Sequence, residues 1–159
     1  LMAVPRANAI WSSDGILTFS HADVAVAVAV PDGLLTPVIH AVETKPVSAV
    51  SSEMKLLAAR AREGTLSPDE YKGGTTTLSN LGMHGVTEFA AIVNPPQATI
   101  LAIGAAERVA VETAAGGIAF AGRITATLSC DHRVVDGVLG AALLAAFKAN
   151  VENPLRLLL

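Results

Sequence analysis

The sequence predicts a single α/β domain with a mixed sheet, and three observations carry that prediction. Residues 24–30 alternate valine and alanine, a period-two pattern that favours a strand. Residues 46–62 switch to helical spacing, with Val47, Val50, Met54, Leu57, Ala58 and Ala61 on one face. The last apolar segment, residues 136–151, repeats that spacing through Leu139, Ala142, Leu143, Ala146 and Phe147. A length of 159 residues fits one domain, and no repeat or linker divides it.

The remaining elements follow from local chemistry. Pro31-Asp32-Gly33 is a turn, so residues 34–40 return as the second arm of a hairpin, and residues 15–19 are expected to pair alongside. Gly64 stops the first helix. Ser67-Pro68-Asp69-Glu70 is a capping box with proline at the first helical position, which starts one short helical turn. Gly73-Gly74 ends it, and the β-branched residues 75–80 form a strand leading into the glycine-punctuated loop 81–85. Residues 88–93 and 98–104 read as strands on either side of the Asn94-Pro95-Pro96 corner. Residues 108–111, the turn 114–117 and residues 118–130 read as a further hairpin.

Composition excludes several classes. Apolar residues make up 52% and charged residues 16%, against about 25% charged in average domains. Disordered chains are polar and highly charged, so this chain is not one. The greasiness does not come from a membrane span, because Pro31, Asp32 and Gly33 break the richest apolar run and Asp136 interrupts the next. No basic region precedes an apolar stretch at the start, and Leu1 suggests a fragment or a processed chain. The excess apolar surface is therefore expected to bury against further copies in an oligomer. A net charge of −3 excludes a nucleic-acid binder. A single cysteine, Cys130, excludes an internal disulfide, and with scattered His21, His40 and His84 it offers no metal-ligand set.

The densest chemistry lies in Ser129-Cys130-Asp131-His132-Arg133-Val134-Val135-Asp136-Gly137, where a strand passes into the final helix. A histidine at such a junction can reach outward from a fixed backbone, and its ordinary pKa near 6.5 suits general-base work. Asp136 stands where a helix N-cap belongs, favoured by the helix dipole. On spacing alone, a loop histidine beside a capping aspartate is the competing reading. His84 is expected to be a solvated loop residue, and Cys130 a small buried side chain rather than a nucleophile. Lys45, in Glu43-Thr44-Lys45, precedes a helix instead of standing at an exposed hairpin tip, so it is not expected to carry a prosthetic group.

The stretch Asp131 to Gly137 resembles the signature of the acyltransferase subunits of 2-oxo acid dehydrogenase complexes. Gly73-Gly74-Thr75-Thr76-Thr77-Leu78-Ser79-Asn80-Leu81-Gly82-Met83 and Ile92-Val93-Asn94-Pro95-Pro96-Gln97-Ala98 are similar to two further motifs of that family, in the same order. The likeness runs from Asn8-Ala9 and Trp11 to Glu152-Asn153-Pro154-Leu155. It implies a two-layer fold like that of chloramphenicol acetyltransferase, a mixed sheet with helices on one face. The Ser79-Asn80-Leu81-Gly82 wording resembles the acetyl-transferring, pyruvate-type members.

The resemblance further implies transfer of acetyl from dihydrolipoamide to coenzyme A, with His132 as base and the Ser79 hydroxyl as donor to the oxyanion. Asn80 shapes the same pocket, and Asp136 is an orienting residue that pairs with an arginine. Coenzyme A is then a substrate, the lipoyl group arrives on a separate lipoyl domain, and no metal takes part. Partners implied are two further copies in a homotrimer with the site between subunits, a larger core, and the E1 and E3 components. Bacterial cytoplasm or mitochondrial matrix is the implied compartment. In the family a portion preceding the region of Leu1 supplies the partner arginine, so this chain is expected to begin inside the domain. Ile10 departs from the serine common in relatives, and the apolar tail 155–159 suits burial between trimers. Alternatives are an impaired scaffold subunit, a branched-chain acyl-transferring relative, and a free drug-acetylating enzyme of the chloramphenicol type.

Overall fold

The computed structural model describes residues 1–157. Eleven strands and two α-helices are described. The chain opens with a short 3-10 turn, Pro5–Ala7, and a hairpin of β1 (Ala9–Ser12) and β2 (Gly15–Thr18). β3 (Val24–Val26), β4 (Val28–Val30), β5 (Gly33–Leu35) and β6 (Val38–Ile39) precede α1 (Val47–Arg62). Then come β7 (Thr76–Asn80), β8 (Thr99–Ile103), β9 (Glu107–Glu112), β10 (Ile118–Arg123), β11 (Ala126–Cys130) and α2 (Gly137–Glu152).

The central sheet has five strands in the order β11-β8-β7-β3-β6. β3, β7 and β8 run parallel, while β11 and β6 flank them antiparallel, giving the mixed sheet expected. β4–β5 and β9–β10 form separate two-stranded hairpins. Val135, Ala7 and Ala98 are fully buried together, with Val4, Leu139 and Leu143 against them. Burying a side chain such as Val135 stabilises by roughly 1.5–3 kcal/mol.

Both helices form where the sequence places them. α1 closes with a Schellman arrangement: Gly64 adopts φ +69°, Thr65 N donates to Arg60 O at 3.0 Å, and Gly64 N donates to Ala61 O at 3.2 Å. The capping box at Ser67 is present, with Glu70 accepting from Ser67 N at 2.9 Å. Arg60 reaches from α1 to the same carboxylate, at 2.7 Å for one of its two contacts. These bonds hold the Glu70 carboxyl down at about 2. Asp136 caps α2, its Oδ1 accepting from Leu139 N at 2.8 Å.

Five strand expectations need correction. Residues 24–30 are two strands, because pairing changes partner at Ala27, whose N–H donates to Leu78 O at 2.9 Å. The returning arm also splits into β5 and β6, since Pro37 between them has no N–H to donate. Residues 15–19 pair with β1, not with that hairpin. Residues 118–130 are β10 and β11, which switch from β9 to β8 across Ile124 and Thr125. Residues 88–93 are extended but join no ladder, and Ile92 is 92% exposed. A β-branched run supplies propensity, whereas a strand also needs a free edge.

Candidate functional site

The turn after β11 is braced from three sides. Asp131 N donates to Ala98 O at 2.8 Å, and the Asp131 carbonyl accepts from Val134 N and Val135 N, both at 2.9 Å. Asp131 Oδ1 accepts from Arg133 N at 3.1 Å, an Asx turn with His132 at its centre. The Arg133 guanidinium grips the same carboxylate, with Nε at 2.9 Å and an Nη at 2.6 Å. Its carbon lies 4.8 Å from the ring centre of Trp11, on β1. The Trp11 backbone is itself tied to the corner before β8, its main-chain amide donating to Pro96 O at 3.2 Å. The guanidinium holds the Asp131 carboxyl down at about 2, and the carboxylate pushes the Arg133 pKa up. Between these two residues the His132 side chain is exposed.

Asp136 is exposed, and its carboxylate serves the helix cap. Among the described residues no arginine pairs with it: Arg133 is taken by Asp131, and Arg6 makes no ion pair. Cys130 is half-buried beside Gly140 of α2, and burial pushes its thiol pKa up, away from nucleophilic use.

Ser79 and Asn80 end β7. Side chains alternate along a strand, so Thr77 and Ser79 share the face opposite Leu78 and Asn80. Asn80 Oδ1 accepts from Gly82 N at 2.9 Å, which fixes the start of the Gly82–His84 turn. Buried Gln97 accepts from the Thr77 hydroxyl two residues before Ser79 and lies against Gly74, linking the second and third motifs physically.

Sheet register sets the distance between Ser79 and His132. Asp131 stands opposite Ala98, while Ser79 stands opposite Ala102 on the other side of β8. That is four residues along the strands, about 13 Å, and two strand spacings across, about 10 Å. The Cα atoms of Asp131 and Ser79 are thus on the order of 16 Å apart, at opposite ends of one sheet. The structure brings His132 and Asp136 together on one turn and Ser79 and Asn80 on another, and it does not bring the two pairs together within one chain.

His84 is exposed, and Lys45 pairs with Glu53 at 2.6 Å as the chain enters α1. Ile10 bridges to Gln97 beside the site. No cluster of three metal-ligating side chains occurs among the described residues. An apolar cavity of about 430 Å³ lies between α2 and the sheet, lined by Leu78, Leu101, Leu128, Leu143 and Phe147. None of the four site residues lines it. The sequence reading missed Trp11 and Gln97 as supports. The Asp-x-Arg spacing around His132 signals the Asx turn, but nothing near it in sequence signals Trp11.

An exposed imidazole on a rigid turn can take a proton, and a strand-held hydroxyl can donate to an oxyanion; together they suit acyl transfer. The chain belongs to the 2-oxoacid dehydrogenases acyltransferase (catalytic domain) family, whose model matches residues 1–159. It is 54% identical over 159 residues to the dihydrolipoyllysine-residue acetyltransferase component of pyruvate dehydrogenase complex of Rhizobium meliloti, covering 99% of this chain and 35% of the relative. The mitochondrial counterpart of Neurospora crassa is 47% identical over 161 residues, covering 98% of this chain and 35% of the relative. The chain thus spans about a third of the length of these curated relatives.

Among solved structures, the dihydrolipoamide acetyltransferase of Azotobacter vinelandii matches with a TM-score of 0.92 and 31% identity, over 98% of this chain and 65% of that one. That structure comes from work on the role of a serine, a histidine and an asparagine in catalysis, the asparagine four positions after the histidine. In this chain the residue four positions after His132 is Asp136. The cubic core of the pyruvate dehydrogenase multienzyme complex matches with the same TM-score and 30% identity, over 98% and 65% of the two chains. The acetyltransferase-like α/β fold expected from the motifs is therefore present.

Proposed function

We propose that the protein containing this domain transfers an acetyl group from dihydrolipoamide to coenzyme A, as the core of a pyruvate dehydrogenase complex. The observation that carries the reading is the division of the site: an exposed, braced His132 at one end of the sheet and Ser79 at the other. A lone chain leaves the two apart, whereas a symmetric oligomer can set His132 of one copy against Ser79 of the next. Apolar side chains exposed at several places support burial against further copies, among them Met83, Ile92, Ile118, Phe120 and Val138. The homotrimer, the larger core, the lipoyl domain and the E1 and E3 components belong to the same proposal. So does a bacterial cytoplasmic or mitochondrial matrix setting.

The mechanism follows from the chemistry of thiols. A thiol with an ordinary pKa near 8.5 is mostly protonated at neutral pH. His132 removes the coenzyme A thiol proton as the sulfur attacks the thioester carbonyl of acetyl-dihydrolipoamide. The carbon becomes tetrahedral, and the Ser79 hydroxyl donates a hydrogen bond to the new oxyanion. Collapse breaks the bond to the dihydrolipoamide sulfur, which takes the proton back from the imidazolium. The products are acetyl-coenzyme A and dihydrolipoamide, and no net proton is consumed. Asn80 holds the turn after Ser79, and Asp136 orients the histidine turn from the helix cap.

Transfer of acetyl from acetyl-dihydrolipoamide to coenzyme A by the full-length assembled protein tests this, with His132→Ala as the comparison. A loss of about 10²–10⁴ in rate is expected for removal of a general base. Wild-type rates in His132→Ala would remove His132 from the mechanism. Correct assembly of a wild-type chain without any transfer would establish a scaffold role instead.

A further inference from the structure

We propose that Asp131, Arg133 and Trp11 form a clamp whose function is to position His132, an inference that rests on His132 acting as the base. The two neighbours of His132 in sequence bind each other across it. Asp131 Oδ1 accepts both Arg133 N, at 3.1 Å, and Arg133 Nε, at 2.9 Å, so the peptide units on either side of His132 cannot rotate independently. One end of the clamp is anchored to β8 through Asp131 N and Ala98 O. The other is anchored to β1, where the guanidinium carbon lies over the Trp11 ring, 4.8 Å from its centre. The backbone at Trp11 is in turn tied to the corner before β8, its main-chain amide donating to Pro96 O. Two separate elements, β8 and β1, therefore hold a turn of three residues.

The engagement of Arg133 also says what it does not do. An arginine that recognises a phosphate or carboxylate offers its donor fork to the ligand. Here Nε and one Nη are already spent on Asp131, and the guanidinium sits over the Trp11 ring. Nor is stability a sufficient role: the Arg133 side chain is 58% exposed, and exposed ion pairs contribute little. What the clamp supplies is geometry. It holds the backbone of an exposed imidazole whose ring makes no hydrogen bond among the described residues. The pair is also neutral as a unit, so it orients His132 without adding net charge beside it.

The test uses the full-length assembled protein, with acetyl-dihydrolipoamide and coenzyme A as substrates, and variants Arg133→Lys, Trp11→Phe and Trp11→Leu. Lysine keeps the charge but loses the fork and the flat cation face. Misplacing a catalytic group by about 1 Å costs up to about 10²-fold, so kcat of Arg133→Lys is expected to fall roughly tenfold to a hundredfold. KM for both substrates should stay within about twofold of wild type, the signature of a lost transition-state geometry. Trp11→Leu should reproduce the loss, and Trp11→Phe, which restores a ring face, should recover most of it.

Wild-type kcat in Arg133→Lys, with His132→Ala inactive, overturns the clamp and leaves the base in place. Wild-type rates in His132→Ala remove the base itself, whatever Arg133 does. A KM for coenzyme A raised about tenfold with kcat kept would make Arg133 a substrate ligand and overturn the proposal. Should Arg133→Lys fail to assemble, the two tryptophan variants decide, since equal kcat in Trp11→Phe and Trp11→Leu also overturns it.

Discussion

Two inactive chains should restore each other if the site is shared between copies. Ser79→Ala lacks the oxyanion donor, which costs about 10²–10³ in rate, or roughly 3–4 kcal/mol. His132→Ala lacks the base. The separation set by the sheet, on the order of 16 Å between the Cα atoms of Asp131 and Ser79, prevents either chain from repairing itself. In a closed ring each site takes its histidine from one copy and its serine from the next. In an equal random mixture the histidine donor is the Ser79→Ala chain half the time, and the serine donor is the His132→Ala chain half the time. Roughly one quarter of sites then carry both native residues, for a ring of any size. Co-expression of the two differently tagged chains, purification through both tags and an acetyl-transfer assay would read this out. Doubly tagged assemblies should exceed a tenth of the wild-type rate, against about a hundredth or less for each variant alone. Activity no higher than the mean of the two single variants would refute the shared site.

Three further outcomes follow from single contacts. Asp136→Ala removes the acceptor of Leu139 N and should cost about 1 kcal/mol, while Asp136→Asn, which keeps an acceptor, should cost a few tenths. At about 2 cal/mol/K per residue the alanine loss is a fall of roughly 3 °C in Tm by calorimetry, and equal falls for both variants would show that the cap is not the cause. Glu70→Gln should weaken resistance to acid. A carboxyl held at about 2 in the folded state, against about 4.3 unfolded, adds stability above pH 4.3 that fades as pH falls toward 2. The variant's acid-unfolding curve should therefore differ from wild type at pH 5 and converge with it near pH 2, and a constant gap would argue otherwise. Gly104→Ala sets a Cβ 1.9 Å from Thr87 O, a backbone atom, so the strand end must move. A loss of about 1–3 kcal/mol is expected by thermal unfolding, and an unchanged Tm would contradict the close approach.

What could be read from the chain depended on how local its causes were. The two helices were legible because their stops and caps lie within a few residues: Gly64 for α1, Asp136 for α2. The Ser67 capping box was legible for the same reason. Strand pairing was less so. The alternation through residues 24–30 is uniform, yet the backbone changes partner at Ala27, and that depends on β7 and on Pro37, neither of which alters the alternation. Residues 88–93 have strand composition without a strand neighbour in the chain. At the site, His132, Asp136, Ser79 and Asn80 came from motif wording, whereas the stacking of Arg133 on Trp11 joins the first strand to the last turn and leaves no local trace.

The division of the site also explains why so apolar a chain has so modest a core. A lone domain would need to bury the side chains that here stand open, yet Ile92, Val138 and Ile118 are each at least 80% exposed. They are distributed over the unpaired segment, the first turn of α2 and the β9–β10 hairpin. The elements around the sheet that separates His132 from Ser79 thus leave apolar surface available to further copies. If those copies are what complete the proposed site, assembly and catalysis share one cause. A charge placed at Val138, on the histidine end of the sheet, should then lower both: Val138→Glu is expected to shift the assembly toward smaller species in light scattering and to reduce transfer in parallel. Full assembly with lost activity, or full activity in a monomer, would separate the two and break that link.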